Sequence, residues 1–82
     1  MKTAIVTGAG AGIGEAISKK LSQNNYQVGM LDLDKDNVVE ASKKIKNATP
    51  LCGDVTQEES IIEAFKEFGK TPDLLVNNVG IV

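Results

Sequence analysis

The feature that most constrains this chain is the string Thr7-Gly8-Ala9-Gly10-Ala11-Gly12-Ile13-Gly14, set directly between the apolar run Ala4, Ile5, Val6 and an amphipathic helical pattern. A strand that runs through a glycine turn into a helix aims several backbone N–H groups and the positive end of the helix at one point, which suits a diphosphate. Glycine is needed there because a Cβ would block either the turn or the approaching phosphate. Gly8, Gly12 and Gly14 read GxxxGxG, and that spacing excludes two other phosphate loops. The fingerprint GxGxxG would need glycine at Ile13 or Glu15, and the nucleoside-triphosphate loop GxxxxGK[ST] would need a lysine after one of these glycines. A glycine turn alone also fits a plain strand-to-helix connection without a ligand.

The rest of the chain alternates strand and helix patterns without a long linker. Thr3 to Thr7 reads as a fully buried strand, rich in β-branched residues and lacking polar alternation. A helix follows with Ile13, Ala16, Ile17 and Leu21 on its apolar face and Lys19 and Lys20 outside, and Asn24-Asn25 ends it. Gln27 to Leu31 is the second strand, and Asp34 is the expected N-cap of a second helix that buries Val38, Ala41 and Ile45. The third strand is short, Thr49 to Cys52. Thr56 and Glu59 form the capping-box pattern ahead of a third helix, which is expected to bury Ile61, Ile62, Phe65 and Phe68 and to stop at Gly69. Pro72 marks a turn, and Asp73 to Asn77 is the fourth strand. An unbroken β-α-β-α-β-α-β order with short joints implies right-handed crossovers and a parallel sheet.

Composition narrows the class. With 82 residues, one domain is the limit, near the size where a core buries only about 60–70% of the unfolded chain's surface. Hydrophobic content of 41% and charge of 24% are those of a folded protein and argue against disorder. The net charge is −2, with nine lysines and neither Arg nor His, so nothing favours a nucleic-acid partner. No apolar segment approaches the ~18 residues of a membrane span. The N-terminus carries one lysine and passes straight into a strand pattern, unlike a signal peptide, so a cytoplasmic location is expected. The single cysteine, Cys52, excludes an intrachain disulfide and any cysteine-based metal cluster, and its place at the end of an apolar strand predicts a small buried residue.

Thr7 with the GxxxGxG spacing resembles the cofactor loop of the short-chain dehydrogenase/reductase family, whose pattern is TGxxxGxG. Three further matches follow in the expected order: Asp32 at the end of the second apolar run, Asp54-Val55 after the third, and Asn77-Asn78-Val79-Gly80 after the fourth, where the family usually has NNAG. Val79 in place of Ala is the departure. The resemblance implies an α/β, Rossmann-like three-layer fold with strand order 3-2-1-4. A ligand is then expected at the C-terminal strand ends, where the order reverses between strands one and four. It also implies that the family's catalytic Ser, its Tyr-x-x-x-Lys pair and its helix Asn belong beyond Val82. Residues 1–82 are thus expected to be the NAD-binding domain, cut before the catalytic segment.

Gly8, Gly12, Ile13 and Gly14 would hold the pyrophosphate, with Gly14 letting the first helix pack close to the sheet. Asp32 lies 18 residues beyond Gly14, near the ~20 expected of the acid that accepts both ribose hydroxyls. That geometry favours NAD, because a 2'-phosphate would meet the carboxylate and no arginine exists in the chain to bind it. By the same resemblance, Asp54 and the backbone N–H of Val55 would contact adenine, and Asn78 and Gly80 the cofactor ribose. Each also has a plain reading: a loop carboxylate at Asp32 or Asp54, and a turn signal at Asn77-Asn78. No catalytic residue is expected among the 82. Tyr26 has Met30 four residues on where a lysine would be needed, and it precedes the second strand at the opposite end of the sheet.

The expected function is therefore the NAD(H)-binding part of an oxidoreductase that moves hydride between nicotinamide and an alcohol or ketone, homo-oligomeric when complete. A non-catalytic dinucleotide-binding module is the alternative, and a purely structural α/β fragment a third. A reading frame that continues into a Tyr-x-x-x-Lys segment separates the first two, and NAD binding by calorimetry separates the third.

Overall fold

The computed structural model describes residues 1–78. Its elements are β1 (Lys2–Thr7), α1 (Gly12–Gln23), β2 (Tyr26–Asp32), α2 (Lys35–Lys43), β3 (Ala48–Cys52), α3 (Glu58–Phe68) and β4 (Leu74–Val76). All strand pairs are parallel, in the order β3-β2-β1-β4, as the sequence pattern and the resemblance led one to expect. The order explains how the helices divide. Going from β1 to β2 to β3 moves one way across the sheet, so right-handed crossovers put α1 and α2 on one face; β3 to β4 reverses direction and sends α3 to the other.

Strand alternation then fills two cores. Val6, Val28 and Met30 pack with Val38, Ala41 and Ile45 of the α2 region, and Ile17 and Leu21 of α1 lie against them. Ile5, Leu31 and Leu51 face the other way and meet Ala64 and Phe68 of α3. Ile5, Met30, Leu31 and Leu51 are fully buried, each worth roughly 1.5–3 kcal/mol relative to exposure. β3 forms one border of the sheet, which is why it tolerates Pro50 opposite Met30.

Several local expectations are corrected. In α1 the sheet-facing line is Gly14, Ile17, Ser18 and Leu21, while Ala16 is exposed and Ile13 is 66% exposed. The helix is rotated because Gly14 makes the closest approach, and buried Ser18 is satisfied by donating to Gly14 O at 2.8 Å. The capping box ahead of α3 does not form: the N-cap is Gln57, without a side-chain cap, and the Thr56 hydroxyl bonds Asp54 instead. α3 buries Ala64 in place of Ile62, which is 46% exposed. Cys52 is exposed, because it is the last residue of a border strand and alternates with buried Leu51. β4 is shorter than Asp73 to Asn77: Asp73 is occupied in a turn, its Oδ2 accepting Thr3 N at 2.9 Å.

Other expectations match. Asp34 caps α2 by accepting Asn37 N at 3.1 Å, α1 ends at Asn24 with Asn25 left-handed at φ 66°, and left-handed Gly69 stops α3. Tyr26 lies at the end of the sheet away from the C-terminal strand ends, as expected, but as the first residue of β2 paired with Lys2, since the strand runs one residue further at each end than Gln27 to Leu31.

Candidate functional site

The loop from Gly8 to Ala11 leaves β1 and turns sharply into α1. Gly12, the first helical residue, has φ +61°, a conformation costly for any residue with a Cβ. A Cβ built there meets nothing within 4 Å, so it would project into open space above the loop. Ala11 precedes the helix in extended conformation and offers no side-chain cap to the first-turn N–H groups. A helix start with donors unclaimed by a cap, beside open space that a side chain at residue 12 would enter, suits an anion.

Gly14 answers a different need. Its Cβ would stand 2.1 Å from Gly8 O and 2.9 Å from Asn78 Nδ2, so only glycine lets α1 sit against the end of β1. The same spot is tied to β4. Thr7 Oγ1 accepts Asn78 N at 3.0 Å and donates toward Asn77 Oδ1 (3.2 Å) and Val76 O (3.4 Å). Asn78 Nδ2 reaches Gly8 O at 3.4 Å. Thr7 therefore joins the ends of β1 and β4 at the point where the strand order reverses.

Asp32 ends β2 beside the glycine loop. Its Oδ2 accepts Gly10 N at 2.8 Å, its Oδ1 accepts Asp34 N at 2.9 Å, and its carbonyl accepts Gly53 N at 3.0 Å. Asp54 follows β3. Its backbone N–H donates to Ser60 Oγ at 2.8 Å, and its Oδ1 accepts both Thr56 Oγ1 at 2.6 Å and Thr56 N at 2.9 Å. The Thr56 hydroxyl first, and its backbone N–H second, hold the Asp54 carboxyl below the usual carboxylate range.

A cavity of about 200 Å3 opens between these groups, walled by Gly8, Asp32 and Leu33 on one side and Gly53, Asp54, Val55 and Thr56 on the other. Predicted residues from three strand ends thus share one crevice, with Ile13 exposed on the first turn of α1 and Asn78 at the fourth strand end. Gly80, and Val79 before it, lie outside the described residues. Sequence reading missed three contributors. Leu33, 70% exposed, lends the cavity an apolar wall, Ser60 fixes the Asp54 backbone, and Thr56 orients its carboxylate. A DxT spacing after a strand was the available signal for Thr56; Ser60, inside a helix pattern, gave none. A wider groove of about 580 Å3 runs along Ile62, Phe65 and the Gly69 to Pro72 turn, and holds none of the strand-end groups.

Among the described residues that line the cavity, the titratable side chains are the two carboxylates, Asp32 and Asp54. Among the described residues, no cluster of His, Cys, Asp and Glu could hold a metal ion, and no helix is long and apolar enough to cross a membrane. The groups present do fit a dinucleotide: an open anion cradle, a carboxylate near it for a diol, and a small cavity with apolar walls for a base.

Residues 2–82 match the family model described as short chain dehydrogenase, and the chain belongs to that family. It is 34% identical, across 98% of its length and 34% of the other, to an (S)-acetoin-forming diacetyl reductase of Staphylococcus epidermidis. A probable NADP-dependent dehydrogenase of Haemophilus influenzae is 40% identical over 96% of this chain and 33% of its own. A crystal structure of a 3-oxoacyl-[acyl-carrier protein] reductase with bound NAD from Brucella melitensis superposes with a TM-score of 0.91, at 29% identity, covering 98% of this chain and 32% of that one. The chain spans about a third of the length of the curated relatives it matches.

Proposed function

We infer that residues 1–82 are the cofactor-binding part of a short-chain dehydrogenase/reductase that prefers NAD(H) and, when complete, moves hydride between nicotinamide and an alcohol or ketone. The observation that carries the reading is the shared crevice, in which Gly8 at the start of the glycine loop, Asp32 and Asp54 wall one cavity at the C-terminal strand ends. In this reading the backbone of Gly8, Gly12, Ile13 and Gly14 binds the pyrophosphate with the field of α1. Asp32 accepts the hydroxyls of the adenine-side ribose. Asp54 takes the adenine amino group on its Oδ2, since Oδ1 already serves Thr56, while Val55 offers its backbone N–H and Leu33 an apolar wall. Asn78 and Gly80 approach the other ribose. The bound nicotinamide supplies the hydride donor or acceptor; these residues orient it.

Preference for NAD(H) rests on charge. A 2'-phosphate would bring negative charge to the Asp32 carboxylate, and the chain holds no arginine to offset it. Relatives point both ways, one named as NADP-dependent and one solved with NAD, so the residues of this chain carry the argument. Calorimetric titration with NADH and NADPH tests it. NADH is expected to bind more tightly, and Asp32→Ala to narrow the gap; tighter binding of NADPH to the unmodified protein would overturn the preference.

A further inference from the structure

We propose that Gly10 is a specificity-determining position that acts through Asp32: its backbone N–H, and the absence of its Cβ, fix the carboxylate in the orientation that separates a ribose diol from a ribose phosphate. The proposal rests on the functional reading above and adds to it a residue at an unspecified position of the TGxxxGxG pattern.

The glycine loop touches the end of β2 twice, through Ala9 N to Leu31 O at 3.1 Å and Gly10 N to Asp32 Oδ2 at 2.8 Å. The first contact is main chain to main chain and fixes the loop. The second reaches a side chain that is only half-buried and would otherwise rotate. With Asp34 N on Oδ1 at 2.9 Å, each carboxylate oxygen carries one backbone donor, one from the glycine loop and one from the turn that follows β2. A carboxylate offers about four lone-pair sites, so one acceptor site remains on each oxygen. Two parallel acceptors on a held plane match the two hydroxyls of a vicinal diol, and the orientation is set before any ligand arrives.

Space at residue 10 is as specific as its donor. A Cβ on Gly10 would stand 2.8 Å from Asp32 Oδ2, 3.1 Å from Asp32 Cγ and 3.2 Å from Asn37 Cβ. Asn37 is anchored by the cap of α2, its backbone N–H bonded to Asp34, so the carboxylate is the part free to yield. A side chain at residue 10 therefore turns the carboxylate out of its plane. That removes the paired acceptors from the diol and moves negative charge away from the 2'-position. Gly10 is thus a positioning residue, and its substitution acts on the ratio of the two cofactor affinities.

The test pairs Gly10→Ala with a measurement that needs no cofactor. In folded Gly10→Ala, confirmed by dispersed amide resonances, NADH affinity is expected to fall by about tenfold, the scale of one hydrogen bond to a charged group, while NADPH affinity falls less or rises. Amide exchange on the cofactor-free protein is expected to show residue 10 protected in the unmodified chain and unprotected in Asp32→Ala, with Ala9 protected in both. Equal losses for both dinucleotides in folded Gly10→Ala would overturn the specificity role, leaving plain loop damage. Equal exchange at Gly10 with and without the carboxylate would overturn the contact itself, even if Gly10→Ala proved unfolded. Failure of the unmodified chain to bind either dinucleotide would overturn the functional reading and the specificity role together, while the exchange result would still report on the contact.

Discussion

Gly12 and Gly14 stand two residues apart and are required for different reasons, which predicts different failures. Gly12→Val forces a β-branched residue to φ +61° and fills the open space above the loop, so dinucleotide binding is expected to vanish while most of the fold survives. Gly14→Ala presses a methyl to 2.1 Å from Gly8 O, and the cost falls on stability. Overpacking typically costs about 1–3 kcal/mol, and backbone that cannot rotate away puts this case at the upper end, readable as a lower urea midpoint. Asp54→Ala removes one polar contact and is expected to weaken binding less than Gly12→Val does; near-normal affinity in folded Gly12→Val would mean that the loop is not the phosphate site. Asp54 also predicts a pH effect. Its carboxyl is held low by Thr56, so the interaction contributes stability above the unfolded-state titration range and is lost as pH falls through the lower folded-state value. Thr56→Val removes the larger cause. Its destabilisation should be visible in urea unfolding at neutral pH and disappear in acid.

At the scale of elements, sequence pattern and tertiary contact divide the work, and the helices show where. α2 is close to the expectation: Asp34 caps it and Val38 and Ala41 are buried on its face, because its apolar stripe and cap are both local signals, while Ile45 is buried from the turn after the helix, which ends at Lys43. Asp34→Ala is expected to cost about 1 kcal/mol, within the usual cap range of about 0.5–2, by equilibrium unfolding. In α1 the apolar pattern finds Ile17 and Leu21 but not Gly14 and Ser18, which complete the sheet-facing line in place of Ile13 and Ala16. That line is set by a contact between residues 8 and 14, which no hydrophobic period records, so Ile13 looks like core and is exposed. α3 lost its capping box for a related reason. Thr56 can bond forward into the helix or back to Asp54, and the bond back leaves Gln57 at the helix start. The strand-end residues Asp32, Asp54 and Asn78 were legible because each follows an apolar run. Of their supports, Thr56 left a trace in its DxT spacing, while Gly10 and Ser60 left none, because their support is a property of the folded loop.

At the scale of the whole molecule, the two borders of the sheet are unequal. β3 closes one side with Pro50, whose missing N–H gives a neighbouring strand nothing to pair with at that position. β4 closes the other with Leu74-Leu75-Val76, where Leu74 is 38% and Leu75 54% exposed, and pairs with β1 alone. Ile62 of α3 is also exposed, at 46%. Among the described residues no further strand pairs with this border, and an unguarded apolar border invites pairing with another chain. The 82 residues alone are therefore expected to self-associate as concentration rises, and Leu75→Lys to suppress it by adding a charge at the border. They are also expected to show no alcohol oxidation or ketone reduction with NAD(H), since no Tyr-x-x-x-Lys pair occurs in the sequence. Light scattering on both variants, run beside steady-state assays with a panel of secondary alcohols, checks the two claims separately. A monodisperse monomer at high concentration would refute the border argument, and turnover well above a heat-killed control would refute the catalytic one.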